Sequence, residues 1–218
     1  YGGELYFGTP YTNPAKQIKS GQFFAVDTNI VGEYANVDIR EVYEQEDWTW
    51  ATFEQVVRDC TVKEEGAIKV YGAASSDGDF AEYAFVSNGY SRVAKNADGN
   101  YVANLNTINV RDAIDWLRRI QNEFSENVLF TSRAEQLTMF EENRAAMIFM
   151  TTEFLKNKVA YIKPGFAVVP FPNGTSGNYG KNHGSCGAEG LGIYAQTEDP
   201  EAIAHIIKAY CQPFAQYP

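Results

Sequence analysis

The stretch Met139–Pro172 constrains this chain more than any other. Its apolar run Ala145–Met150 has the length of a buried strand, and Phe166–Val169 supplies a second one, stopped by Pro170 and Pro172. Between them lie a turn of small polar residues, Thr151, Thr152 and Glu153, and a short helix. Two apolar strands joined in this way are expected to be buried on both faces. That requires a sheet covered by helices, an α/β fold. Such sheets hold ligands at the carboxyl edge of their strands, so the turn at 151–153 is the first place to expect a site.

With 218 residues the chain can bury a core without disulfide or metal staples. A formal net charge of −10 argues against a phosphate backbone or an anionic lipid surface as partner, because both call for clustered Lys and Arg. Nucleic acid is therefore excluded, and small neutral or cationic ligands and proteins remain. The 14 Tyr, 14 Phe and 3 Trp suit a large core, and flat rings also suit sugar stacking. Cys60, Cys186 and Cys211 show neither CxxC nor metal-ligand spacing. Cys60 and Cys211 read as small apolar fillers near helix ends, and Cys186, in a glycine-rich loop, as the reactive thiol. No run of eighteen apolar residues is present, and the segment that opens at Tyr1 reads as a strand rather than as a signal peptide or lipobox.

Along the chain, Glu4–Thr9 reads as a strand ended by Pro10, and Phe23–Val26 as the next, with Asp27, Thr28 and Asn29 suited to cap a short helix. The segment 32–45 has weak periodicity and is expected to be irregular or marginally helical. Trp48–Thr61 is a helix capped by Thr49, with Trp50, Phe53, Val56 and Val57 on one buried face. Trp48 and Trp50 are expected to anchor that helix rather than to stack on a sugar. Ile68–Tyr71 is a short strand emptying into Gly72–Asp79, a run of small and acidic residues before a helix. Small residues admit a ligand, and Asp77 and Asp79 accept bonds from hydroxyls or cations. Equally, either aspartate can cap the helix Phe80–Asn88, which Gly89 ends. The spaced ligands of a calcium loop are missing.

Asn96-Ala97-Asp98-Gly99 predicts a hairpin. Asn109 is expected to cap a long helix with Val110, Ala113, Ile114, Leu117 and Ile120 inward and Arg111, Asp112, Asp115, Arg118 and Arg119 outward in water. Ser132-Arg133-Ala134-Glu135 is a capping box opening the helix of Leu137 and Phe140. The glycine-studded segment 173–190 reads as a long surface loop, and Asn173-Gly174-Thr175 within it has the form of a glycosylation sequon. His183 there is a surface residue rather than a base or ligand. Leu191–Ala195 is a strand, and Asp199-Pro200-Glu201 starts a helix to about Cys211, with Ile203, Ile206, Ile207 and Tyr210 inward and His205 exposed.

Several of these segments, in this order, resemble one family. Phe140, then Arg144-Ala145-Ala146-Met147, then Phe166-Ala167-Val168-Val169-Pro170-Phe171-Pro172 resembles the "F..GKAAM…GV.P.P.G" region of bacterial extracellular solute-binding proteins. These are the carbohydrate-capturing, maltose-binding-like receptors of ABC importers. Asp47-Trp48-Thr49-Trp50-Ala51-Thr52-Phe53 is similar to the family's "WTWDxF" helix start, and Gly3–Pro10 to its "GKLYGLP" strand. Phe80-Ala81-Glu82-Tyr83 through Gly89 resembles the helix that follows, and the hairpin recurs there too.

The resemblance implies a fold: an α/β periplasmic-binding-protein-like lobe of type II, a mixed sheet flanked by helices, with an incomplete second lobe. Residues 1–10 would be the hinge-crossing strand, 11–163 one α/β lobe, and 164–218 a crossing strand with part of the second lobe. The chain would then be an interior piece, without the family's export signal. The function implied is substrate capture for an ABC importer, by an extracellular, lipid-anchored or periplasmic protein. It would be a monomer partnered by permease subunits and by a carbohydrate or other small hydroxylated ligand, with no cofactor and no metal.

Asp77, Asp79, Thr151, Thr152, Glu153 and Phe154 are the candidate ligand residues, joined by Tyr11 near the crossing strand and by Tyr179 and Glu189 from the glycine-rich loop. The family commonly presents an aromatic ring in the turn after "AAM". Here that turn holds Thr151, Thr152 and Glu153, so Glu153 is expected to bind hydroxyls or a cation and Phe154 to supply the ring. Two other classes stay open. Asp77, Asp79 and Glu153 would have to include the carboxylate pair of a glycosidase, though no nucleophile elbow, P-loop or zinc motif accompanies them. Alternatively, the chain is a structural or interaction module of the same fold.

Overall fold

The computed structural model describes residues 7–8, 21–90, 93–151, 154, 165–175, 191–193 and 197–211. In chain order the first elements are β1 (Phe7–Gly8), β2 (Gln22–Asp27), α1 (Thr28–Tyr34), α2 (Ile39–Glu44), α3 (Trp50–Asp59), β3 (Val62–Glu64), β4 (Ala67–Val70) and β5 (Ala73–Ser75). There follow α4 (Asp77–Ser87), β6 (Val93–Lys95), β7 (Tyr101–Ala103), α5 (Ile108–Glu123), β8 (Val128–Phe130) and α6 (Arg133–Glu141). The last are β9 (Met147–Thr151), β10 (Phe166–Val169), β11 (Leu191–Gly192) and α7 (Pro200–Cys211). The chain divides into two units, residues 21–185 and residues 1–20 with 186–218.

The larger unit is built on a five-stranded sheet of order β10-β2-β9-β5-β8. β10, β2 and β9 pair antiparallel, whereas β9, β5 and β8 run parallel, so the sheet is mixed. Alternation along the strands sends Phe24, Val26, Met147 and Phe149 to one face, where they meet Phe53, Phe80, Trp116 and Phe171. Ala25, Ala74, Ile148 and Met150 point to the other face and are covered by Met139 and Phe140 of α6. Both faces of β9 are therefore closed, as its unbroken apolar run predicts. β10 departs from that expectation. As the edge strand it buries Ala167 and Val169 but leaves Val168 49% exposed, and Arg40 of α2 donates to the carbonyl of Phe166.

Helix starts follow local chemistry. Asp27 accepts from the backbone N–H of Asn29 and Ile30, Thr49 from Thr52, and Ser132 from Glu135, each satisfying an orphan donor. Residues 32–45, expected to be irregular or marginally helical, contain the end of α1 and all of α2, because Asp38 supplies a cap and Ile39 a buried anchor. The long helix α5 starts two residues earlier than expected, with Thr107 as its cap. Asn109 is occupied elsewhere: its amide donates to the carbonyl of Asn88, whose amide donates back to the carbonyl of Asn109, at 2.7 and 2.9 Å. Asn96 closes the predicted hairpin by accepting from Asp98 and Asn100.

The run Gly72–Ser75 is not a loop. Ala73–Ser75 forms β5 in the sheet interior, because only small side chains fit where two covered faces close on a short strand. Gly72 is needed for packing: a Cβ there would lie 2.2 Å from the carbonyl oxygen of Val57 on α3. Trp50 and Trp116 stack with ring centroids 4.4 Å apart, and Trp48 is 1% exposed and donates to the carbonyl of Pro170. Both Trp48 and Trp50 are thus anchors, and Cys60 is a buried filler. Part of the Arg-bearing face of α5 is also engaged. Glu54 on α3 accepts from Arg119 and, at 2.7 Å, from the Trp116 indole.

The segment after β10 enters the core rather than looping away at once. Asn173 donates to Trp48, accepts from Trp50 and is 5% exposed, while Gly174 donates to Ser87. A Cβ on Gly174 would fall 2.4 Å from Asn88 Oδ1. This burial closes the Asn173 sequon to glycosylation.

In the smaller unit β1 and β11 pair antiparallel, Phe7 opposite Gly192. α7 starts at Pro200, with Asp199 accepting from the N–H of Ala202. Ile203 and Ile207 are half-buried, but Ile206, expected inward, is 66% exposed, as it lies to one side of the stripe those two define. His205 is exposed as expected. His183 and Cys186 lie outside the described residues. Among the described residues no helix is long and apolar enough to cross a membrane.

Candidate functional site

The parallel strands β5, β8 and β9 end on the same edge of the sheet, and the antiparallel β2 begins there. Gln22, the first residue of β2, therefore sits in register opposite Thr151, the last of β9. Two helices start at this edge: α4 after the single residue Ser76, and α6 two residues beyond β8. Their amino termini carry partial positive charge, which favours acidic side chains and ligand oxygens nearby.

Asp79 is the hub. Its Oδ1 accepts from Gln22 Nε2 at 2.7 Å, and its Oδ2 accepts from Ser76 Oγ at 2.6 Å and from Arg133 Nη2 at 2.9 Å. The Arg133 Nε makes a longer contact of 3.3 Å to the same oxygen. Tyr83 Oη accepts from the backbone N–H of Gln22 at 2.6 Å, fixing the start of β2 against α4. Partial burial pushes the Asp79 carboxyl upward, but the bonds from Ser76, Gln22 and Arg133 outweigh it and hold its pKa below the ordinary aspartate value. Asp79 is thus a carboxylate at neutral pH. Thr151 Oγ1 in turn accepts from the N–H of Phe154, whose ring packs on the α6 side of the sheet.

Of the residues singled out from sequence, the structure brings Asp79 and Thr151 together through Gln22, with Asp77 exposed in the same helical turn as Asp79. Thr152, Glu153, Tyr11, Tyr179 and Glu189 lie outside the described residues. Gln22, Ser76, Tyr83 and Arg133 escaped the sequence reading. Two signals were present. Gln22 is a polar head on an apolar strand, and Arg133 places a cation in the first turn of a helix, where the macrodipole disfavours it unless a carboxylate is close. Among the described residues no group of three His, Cys, Asp or Glu could hold a metal ion.

A mixed sheet with a polar cluster of this kind at its carboxyl edge fits a binding protein, and comparison with known proteins decides the family. The profile of the bacterial extracellular solute-binding proteins matches residues 9–210. The chain belongs to that family. No curated protein matches it by sequence. Among solved structures, this solute-binding protein is similar to the maltose/maltodextrin-binding domain MalE from Bdellovibrio bacteriovorus bound to maltotriose, with 17% identity and a TM-score of 0.58 over 96% of this chain and 50% of that one. A cyclo/maltodextrin-binding protein complexed with maltotetraose has 15% identity and a TM-score of 0.55, over 95% and 48%. An ABC transporter solute-binding protein from Thermotoga lettingae bound with α-D-tagatose has 14% identity and a TM-score of 0.58, over 96% and 50%. The chain spans about half the length of these structures. The likeness is one of fold, a periplasmic-binding-protein-like α/β architecture with helices flanking a mixed sheet.

Proposed function

We propose that this chain carries the sugar-capturing surface of an ABC importer's receptor, and that its ligand is a carbohydrate held at the carboxyl edge of the five-stranded sheet. The observation that carries this reading is the Gln22–Asp79–Arg133 cluster at the edge where two helix amino termini converge, in a chain of solute-binding family. Sugar hydroxyls both donate and accept, and they suit a site that mixes carboxylate, amide, hydroxyl and backbone N–H groups. Asp77, Thr151, Thr152, Glu153 and Phe154 complete the proposed contact set, and Tyr11, Tyr179 and Glu189 are its further candidates.

Capture would follow closure of two lobes about a hinge, with the five-stranded sheet and its helices belonging to one of them. Permease subunits would read the closed form at the outer face of the membrane or in the periplasm, with the receptor a monomer. The state of Asp79 argues against one role in glycoside hydrolysis, that of general acid. A general acid must keep its proton at neutral pH, and the surroundings of Asp79 act in the opposite direction.

Calorimetric titration with maltotriose, maltotetraose and tagatose tests the reading. Saturable binding of at least one sugar is expected, and Glu153→Ala is expected to weaken it about tenfold, the loss of a charge-assisted hydrogen bond. Absence of heat with every sugar, together with release of reducing ends from an oligosaccharide panel, would turn the assignment to an enzyme.

A further inference from the structure

Gln136 stands where the sheet-facing stripe of α6 begins. With Met139 and Phe140 it makes the buried face of that helix, at the three-and-four spacing that lays side chains over a core, and it is fully buried. An apolar residue would serve there, whereas a buried amide needs a partner for each of its polar ends. One end has its partner: Nε2 donates to the carbonyl of Thr131 at 3.1 Å. That bond fixes which way the amide points, because turning it over would set two carbonyl oxygens against each other. The other end has none. Oε1 is buried and accepts no hydrogen bond among the described residues.

The place of that oxygen ties it to the carboxyl edge. Thr131 directly follows β8, and its N–H donates at 2.8 Å to the carbonyl of Ser75, the last residue of β5. The carbonyl that holds Nε2 therefore lies beside the strand ends. The short bonds of an amide keep its oxygen within about 2.5 Å of its nitrogen, so Oε1 lies within about 6 Å of the Thr131 oxygen. The same bias recurs across the sheet. Gln22 donates through Nε2 to Asp79, and its Oε1 is likewise buried and without a partner. By strand alternation Gln22 shares the face of Phe24 and Val26, while α6 covers the opposite one, so the edge carries one orphan acceptor on each face of the sheet. What both oxygens need is a donor. Of the groups a sugar offers, a hydroxyl that keeps its hydrogen supplies one, and a ring oxygen, a glycosidic oxygen or a methyl ether does not.

We propose that Gln136 is a specificity-determining residue of the carboxyl-edge site, its carbonyl oxygen accepting from a free hydroxyl of the bound carbohydrate. This rests on the receptor reading above and deepens it: the ligand must present a donor to α6, and full burial of the amide admits a single hydroxyl there rather than a ring.

The test is calorimetric titration of the full chain and of Gln136→Met with maltotriose, maltotetraose and tagatose. Met matches the length of the side chain and removes both polar ends, so melting temperature should change little, while affinity falls about tenfold, the effect of leaving a buried hydroxyl without its acceptor. Among monodeoxy analogues of the sugar that binds, one should lose the same factor with the unsubstituted chain and nothing further with Gln136→Met. A second readout needs no variant and decides alone should Gln136→Met not fold. The side-chain amide resonance of Gln136 in the ¹⁵N-labelled chain should shift at saturating sugar, because a donor on Oε1 polarises the amide. A sugar that binds both chains equally and leaves that resonance unmoved overturns the assignment, gives the oxygen a buried water as its partner and leaves the receptor reading standing. Absence of binding by all three sugars to the unsubstituted chain overturns both.

Discussion

Replacing Asp79 by asparagine probes the site and the fold together. The substitution keeps the shape and one acceptor oxygen but removes the charge that Gln22, Ser76 and Arg133 converge on. A hydrogen bond to a charged group contributes about 1.5–3 kcal/mol, and the neutral amide retains roughly half of that for one donor while presenting N–H to another. The Arg133 side chain is 45% exposed, so its ion pair adds no more than about 1 kcal/mol. The expected loss at pH 7 is about 2 kcal/mol, or roughly 4–8 °C in Tm for a unit of this size.

The pH dependence gives the sharper result. The folded-state carboxyl titrates below its unfolded value, so its contribution is complete above about pH 4 and is lost as pH falls through the lowered folded value. Urea melts of the two proteins at pH 7, 5 and 3 should therefore show a constant gap between pH 7 and 5 and a narrowing one below. A gap that persists undiminished at pH 3, or no gap at pH 7, would refute the role of the charge.

Three further outcomes follow from packing. Gly72→Ala should prevent or severely weaken folding, since its Cβ meets the α3 backbone, while Gly78→Ala should be neutral or stabilise by up to about 1 kcal/mol; thermal melts compare them directly. Trp116→Ala removes the ring stacked between Trp50 and Phe80 and should cost about 3–5 kcal/mol in denaturant unfolding. Cys60 is fully buried and its thiol is pushed up to about 12, chiefly by desolvation, so it should resist a thiol-specific reagent at pH 8 until the chain is unfolded.

Much of the larger unit was legible because local chemistry and tertiary demand agree there. Thr49, Asp27 and Ser132 cap where their side chains dictate, Asn96–Gly99 turns the hairpin, and the β9 run is apolar because both sheet faces are covered. What escaped has physical reasons. β5 is three small residues with no branched side chain, so nothing in its composition distinguishes a crowded strand from a loop. β10 reads like β9, and periodicity does not separate an edge strand from a central one. Thr107 and Asn109 are both good caps, and only the distant Asn88 decides which of them is used. Trp116 fell outside the predicted stripe of α5, yet it lies between two helices and ties them through Glu54. At the site, Asp79 could be named from its place at the start of a helix, but Gln22 and Arg133 arrive from 57 and 54 residues away and are visible only once the sheet is assembled.

The central claim is that the carboxyl edge of the five-stranded sheet is where ligand is held. Amide hydrogen exchange, read with and without a saturating sugar from the calorimetric panel, tests it most directly. The account predicts added protection concentrated at residues 76–79, 131–133 and 151–154. Protection confined to the β3–β4 hairpin or to the far ends of α4 and α5, with the carboxyl edge unchanged, would contradict it.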